Sequence, residues 1–470
     1  MQYLAYKCYA RLPLPSATKS LYYQALIPAK KYVATQQARE QTMNTSDPLP
    51  GIASWRRRLR GLCLAPLIGA LALVSTTPAA LAQAAEKTAE QLALYQAWSE
   101  FADQVKEMGK TVLRDDVPAT ALEQAEGYRY LLAQLSEQIE VALYHSDLND
   151  PLLRSNISKF RAAAMPSSDG RYLTAQIDYQ GSYRLWGKLG TAQGNISFQF
   201  YSDMTAQEGR TLSDFADMEG AFDIRMGGQP TEENWVPLPD KAEMIYIREY
   251  FSDWDTESRS QFYLDRLDRQ PGGAPLSPEK MTGILKRVSA VWSRQAPFFM
   301  RQMISFRTNL ENRVMPAALM HEVGFQENIY GPGWFKLQPD EALVLTVDQS
   351  EAYYWSVQLG NFWGEALDFV TYSSSISGAQ AQLGSDGKYW LVIARQDPGV
   401  PNWIDTAGHA EGFIFTRFQG IKASPPQAVK LVKLDKLRDI LPAGTPAVTT
   451  EQRRQELRRR QDHMVRRWSP

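Results

Sequence analysis

The sequence predicts an α+β fold, mainly β, in which antiparallel jelly-roll or β-sandwich regions follow an N-terminal helical hairpin and flank a helical insertion. Three observations predict it. Apolar residues keep a helical spacing from Glu86 to Tyr144, switch to alternation after about Arg171, and alternate again from Trp334 to Phe418.

In the first helix, Leu94, Trp98, Phe101, Val105 and Met108 make one apolar stripe. Asp116 before Pro118 resembles a second helix start, and Leu122, Ala125, Leu132, Leu135, Ile139 and Leu143 carry the period onward. The pair reads as a hairpin over residues 83–150, with both stripes packed in the core. A first β-rich region covers 151–275. Leu173, Ala175, Ile177 and Tyr179 alternate with polar residues, Tyr183 to Gly187 and Ile196 to Phe200 repeat the theme, and Glu243 to Phe251 reads as another strand. Glycine-rich turns between these runs suggest antiparallel hairpins.

Ser277 and Pro278 supply an N-cap and a proline at the first helical position of an insertion over 276–325. Ile284, Val288, Val291 and Trp292 sustain that helix, and Pro297 is expected to kink or end its first part. The C-terminal β region, 326–422, contains strand patterns at 342–347, 353–359, 389–394 and 412–418. The two β-rich regions fit either two sandwiches or one interrupted one. Residues 423–470 read as a linker and a basic helix bearing Arg453, Arg454, Arg458, Arg459, Arg460, Arg466 and Arg467. That helix is expected to pack on the protein's own acidic body, the alternative being weak contact with an anionic membrane surface.

The N-terminus carries a targeting pattern. Arg56, Arg57, Arg58 and Arg60 precede an apolar run from Gly61 to Val74, and Ala80-Leu81-Ala82 resembles a cleavage site. Residues 43–82 thus read as a signal peptide, with a retained anchor as the alternative, and 1–42 as an upstream extension. The expected location is periplasmic or secreted. Residues 1–82 hold ten of the 51 Lys/Arg and two of the 52 Asp/Glu, so the remainder carries 41 bases against 50 acids. This balance argues against nucleic-acid partners. Cys8 and Cys63 both precede the expected cleavage point, which leaves no thiol nucleophile and no disulfide.

Several chemistries lack their motifs. His321-Glu322 opens like a zinc-protease helix, but Phe325 occupies the position of the second histidine. The four histidines are scattered, so neither a metal site nor a cofactor is expected, although a site built from distant carboxylates is left open. There is no G-x-S-x-G elbow. Gly187-Lys188-Leu189-Gly190-Thr191 reads as a hairpin turn.

Two regions carry a resemblance to a known family. One combines Tyr353-Tyr354-Trp355-Ser356-Val357-Gln358-Leu359, Trp363, Asp397-Pro398-Gly399, Asn402 to His409, Gly412 and Arg417; the other is Tyr172 through Gly187. Together they resemble the bacterial domain of unknown function family DUF 1214, which often accompanies the DUF 1254 group. The resemblance implies a β-rich, jelly-roll-like fold and brings no settled reaction. The N-terminal helices depart from the two-module pattern.

The densest candidate site is the loop from Asp397 to His409. His409 is suited to move a proton, with Asp405 as its orienter and Arg417 to hold an anionic or carbonyl group. Asn402 and Asp397 offer polar contacts, and Trp403, Tyr354 and Trp363 offer aromatic walls for a small organic or carbohydrate-like ligand. Alternation puts Tyr354 and Trp355 on opposite faces of their strand. The same loop residues also suit a purely structural turn. The function expected is binding, or metal-independent acid/base transformation, of such a ligand; the alternative is a non-catalytic envelope structural or interaction protein. Whether the protein is an enzyme, and its oligomeric state, are left open.

Overall fold

The computed structural model describes residues 87–468 apart from 156–164, 204, 232–233, 271, 273–274, 320–324 and 326–327. The upstream extension, the signal segment, both cysteines and His321-Glu322 lie outside the described residues.

The first β-rich region is a two-sheet sandwich. Its strands are β1 (Arg154–Ser155), β2 (Gly170–Gln176), β3 (Ser182–Lys188), β4 (Ile196–Ser202), β5 (Thr205–Thr211), β6 (Ala221–Gly227), β7 (Trp235–Val236), β8 (Met244–Tyr250) and β9 (Gln261–Arg266). An inner sheet runs β1-β2-β8-β4-β5 and an outer sheet β7-β6-β3-β9. Leu173, Phe198, Ile245 and Ile247 on the inner sheet pack against Leu185, Ile224 and Met226 on the outer one. The expected hairpins from β2 through β4 are sheet-crossing connections instead: β3 pairs with β6 and β9, while β2 and β4 both pair with β8. The 187–191 segment is one of these crossings, not a hairpin turn.

The second region is another sandwich, with β10 (Arg313–Val314), β11 (Ala318–Leu319), β12 (Asn328–Lys336), β13 (Glu341–Asp348), β14 (Tyr354–Gly360), β15 (Ser375–Ser377), β16 (Lys388–Ala394), β17 (Trp403–Asp405), β18 (Glu411–Gln419) and β19 (Gln427–Lys433). Its inner sheet runs β10-β12-β18-β14-β15, with β11 also on β12, and its outer sheet β17-β16-β13-β19. Ile329, Val357, Ile414 and Phe418 on the inner sheet meet Leu343, Leu345, Leu391 and Ile393 on the outer. There are thus two sandwiches, and the sheets are open, not closed into barrels. Strand β19 falls in the segment read from sequence as linker.

The helices pack on the sandwiches in separate places. They are α1 (Ala89–Gly109), α2 (Ala121–Tyr144), α3 (Pro278–Asn309), α4 (Leu437–Ile440) and α5 (Thr450–Trp468). Thr88 caps α1; α2 starts after Thr120, not at the expected Asp116; Ser277 caps α3 with Pro278 at its start, where the sequence placed them. Helix α3 continues through Pro297 to Asn309. Helices α1 and α2 pack mainly on α3 and only slightly on one another, so the hairpin is held together by the insertion.

The stripe of α1 lies largely as expected, with Phe101, Val105 and Met108 in the helical core, whereas that of α2 is rotated. Trp98 is exposed, as are Leu122, Leu132 and Leu143, and the buried face of α2 instead presents Glu123, Glu126, Gly127, Tyr130, Leu131 and Leu135. Two carboxylates therefore sit where the period alone would place leucines. Gly127 is required there: a Cβ at this position would lie 2.4 Å from the Trp363 ring.

Successive residues of a strand face opposite ways, and on β18 this sorts two environments. Ile414 and Phe418 enter the apolar sandwich core. On the opposite face, Phe413 and Phe415 join the helical core, whereas Arg417 and Gln419 lie towards the first sandwich.

Candidate functional site

The two inner sheets face each other through a polar, tyrosine-rich layer. Register aligns Tyr172, Arg248 and Ser197 across the first inner sheet, with Tyr250 one row away. Across the second, it aligns Tyr330, Arg417 and Ser356, then Asn328, Gln419 and Tyr354. The layers touch: Tyr250 and Tyr354 ring centroids are 5.5 Å apart, and the Asn195 backbone N–H donates to Gln419 Oε1 at 2.8 Å. Trp355 lies in the apolar core behind Tyr354, the opposition that alternation predicted.

Arg417 is the unusual group in this layer. It is 2 % exposed, and its guanidinium lies 5.3 Å from the Tyr330 ring centroid, 5.4 Å from Phe415 and 5.7 Å from Tyr250. Nε and Nη1 have no hydrogen-bond partner among the described residues. Gln419 Nε2, Asn328 Oδ1, Ser197 Oγ and Thr174 Oγ1 are likewise buried without partners. Arg248, also buried, donates to Gln199 at 2.9 Å and to the Tyr201 hydroxyl, with its guanidinium 4.3 Å from the Tyr246 ring centroid.

The layer is cationic. Asp169 faces Arg467, Arg417 and Arg460; burial raises its pKa above the ordinary value, against the Tyr354 hydrogen bond and those three charges. Burial above all lifts the Tyr250 and Tyr354 hydroxyls well beyond the ordinary phenol range, so they are neutral donors and acceptors. Arg460 and Arg467 come from α5, whose inward side also buries Arg453, His463 and Met464. The basic tail therefore packs on its own body through Arg453, Arg460 and Arg467, spaced seven residues apart on one helix face, and Arg467 donates at 2.6 Å to Ser168 O.

A second cluster forms where α2 meets the loop before β18. His409 is 3 % exposed; its Nδ1 is 3.0 Å from Thr406 O, and its Nε2 is 2.8 Å from Glu126 Oε2 and 3.9 Å from Glu123 Oε1. Asn361 Nδ2 donates to Glu126 and Glu365, both at 2.8 Å, and Arg129 bridges the same two carboxylates. Burial opposes charge on His409, but the hydrogen bond and charge of Glu126 outweigh it and its pKa is raised. Burial also opposes charge on Glu126, yet its net shift is downward through the same pairing. Burial pushes Glu123 up to about 7.

The expected triad does not assemble. Arg417 lies six residues along β18 from Glu411, so roughly 20 Å of extended strand separates it from the His409 end. Asp405 does not touch the His409 ring; its Oδ1 accepts the Ala407 N–H at 2.8 Å and shapes the turn in which Ala407 has φ 49° and Gly408 φ 88°. Asp397 accepts from Gly399 N and from Arg453. Asn402, at φ 54°, is bonded to Gln382 and Trp390, and Trp403 Nε1 donates to Ala394 O at 3.0 Å. These four residues build the loop. Trp363 instead walls the carboxylate cluster, donating to Glu123 O at 2.7 Å, and Tyr354 belongs to the inter-sheet layer. The residues that sequence reading missed are Glu123, Glu126, Asn361 and Glu365, together with Tyr330 and Asp169; the signal for Glu123 and Glu126 was carboxylates interrupting an apolar helix face.

No family model and no curated protein matches the chain. Among solved structures, it is similar to an uncharacterised protein from Burkholderia cenocepacia, at 29% identity and a TM-score of 0.70 over 74% of this chain and 100% of that one. A much looser likeness, 11% identity and a TM-score of 0.38 over 65% of this chain and 97% of that one, links it to the VPA0106 protein from Vibrio parahaemolyticus.

Proposed function

We propose that this protein binds a small organic anion in the layer between its two sandwiches. The observation that carries this reading is Arg417, a buried guanidinium in an aromatic cage with two nitrogens that have no partner among the described residues. Burying such a charge unpaired costs several kcal/mol, roughly, and ring faces offset only part of that. A carboxylate or phosphate ester supplies both the charge and the acceptors, and its organic portion packs on Tyr250, Tyr330 and Tyr354. The cationic lining favours an anion over a neutral carbohydrate.

Binding is the reading, not acid/base turnover, because His409 stands far from this layer. The resemblance to DUF 1214 is consistent with it, since Tyr354, Ser356 and Arg417 belong both to the layer and to the residues that carry the resemblance. Export to the periplasm or medium remains part of the proposal, carried by residues 43–82 and testable by N-terminal sequencing of secreted protein. The interaction-protein alternative draws on Leu92, Tyr95 and Trp98, which are exposed along α1.

A thermal-shift screen of mono- and dicarboxylates, phosphate esters and neutral sugars tests the reading. At least one anion should raise Tm in a dose-dependent way. Stabilisation by neutral sugars alone contradicts it.

A further inference from the structure

We propose that Glu123, Glu126 and His409 form a binding site for a first-row divalent transition-metal ion, separate from the inter-sheet layer. One ligand atom from each residue lies within 4.8 Å of the other two, the place among the described residues where three such donors converge. The geometry favours coordination over a simple ion pair. His409 Nδ1 is held by Thr406 O, which leaves Nε2 aimed at the carboxylates with its tautomer fixed, the arrangement that orients metal-bound imidazoles. The Nε2 separations of 2.8 Å to Glu126 and 3.9 Å to Glu123 bracket the roughly 3.0–3.4 Å expected between donors about 2.1 Å from one ion.

A second, independent observation points to a ligand. Glu123 is 4 % exposed, yet its Oε2, the oxygen beside the Oε1 that lies 3.9 Å from His409 Nε2, has no hydrogen-bond partner among the described residues. A buried carboxylate oxygen without a donor is costly, and a bound cation satisfies it. Charge gives the same answer. Once a metal ion takes the place of a proton on His409, Glu123, Glu126, Glu365 and Glu411 face only Arg129 and Arg307, so carboxylates outnumber cations around the bound dication. The mixed imidazole and carboxylate donors select zinc, cobalt or manganese over magnesium or calcium, which take oxygen ligands. Arg129, whose side chain is 54% exposed, is the part of the cluster nearest solvent and marks the way in.

The full chain, stripped with a chelator, is titrated with Co2+ by visible absorption and calorimetry at pH 7.5, then challenged with Zn2+ and Mg2+. The proposal expects one equivalent of Co2+ with d–d absorption bands, displaced by Zn2+ but not by Mg2+. Glu123→Gln, which keeps shape and removes a buried charge, should stay folded and lose more than about 100-fold in affinity, beyond the 10–100-fold typical of outer-shell changes. No stoichiometric uptake by the wild type, equal uptake by folded Glu123→Gln, or displacement by Mg2+ would each overturn it.

Discussion

The hydroxyl of Tyr354, on the inner sheet of the second sandwich, donates a 2.7 Å hydrogen bond to Oδ2 of Asp169, the residue that leads into β2 of the first. Trp254 donates to the other oxygen of Asp169 at 3.0 Å. One buried carboxylate thus ties the sandwiches together. Tyr354→Phe removes a hydrogen-bond donor from a buried carboxyl group, and a loss of about 1–3 kcal/mol is expected in denaturant unfolding. A change within experimental error would show that the bond does not hold the layer closed.

Asn402 makes three side-chain hydrogen bonds but has no place in either cluster. Its side chain accepts from Gln382 N at 2.7 Å and donates to Gln382 O and Trp390 O at 2.7 and 3.2 Å, while its backbone sits at φ 54°. Asn402→Ala should therefore destabilise by about 2–4 kcal/mol, through unpaired backbone groups and an unfavourable left-handed alanine. Anion affinity measured well below Tm should be unaltered. Weakened binding by folded Asn402→Ala would return the loop to the ligand site.

His463 gives the protein an acid-sensitive latch. Burial first, then the Arg467 charge beside it, push its pKa down to about 3, with Arg466 adding to the effect and Asp253 opposing it. The neutral ring accepts from Arg467 Nε at 2.9 Å and donates to Trp254 O. Because the folded pKa lies below the unfolded value of about 6.5, the unfolded chain alone takes up the proton in between. This contribution is complete above pH 6.5 and declines as pH falls towards 3, by at most about 1.4 kcal/mol per unit. Melting curves of wild type and His463→Gln from pH 7.5 to 4 should show the wild-type advantage shrinking with acid. A constant difference would contradict the latch.

Much of the fold is legible in the sequence, because alternation reports a face directly: β2, β8, β14, β16 and β18 fall where the patterns place them. The sheet-crossing connections are not legible, since a glycine-rich turn reads alike whether it closes a hairpin or spans two sheets. The α2 stripe misleads for a different reason. Burial of Glu123 and Glu126 depends on His409 and Asn361, partners more than two hundred residues away, which no local period records. The loop residues were legible as a cluster, but their roles divided: His409 faces outward from the turn to carboxylates, whereas Asp405, Asn402 and Asp397 hold the turn itself.

The central claim is that Arg417 is kept buried for a ligand. Calorimetric titration of wild type and Arg417→Met with the tightest organic anion from the screen tests it most directly. The account predicts at least about a 30-fold loss of affinity, the effect of roughly 2 kcal/mol from one charge-assisted contact. It also predicts a ligand-free variant as stable as wild type or more so, because methionine relieves an unpaired buried charge. Equal affinity in a folded Arg417→Met would contradict it.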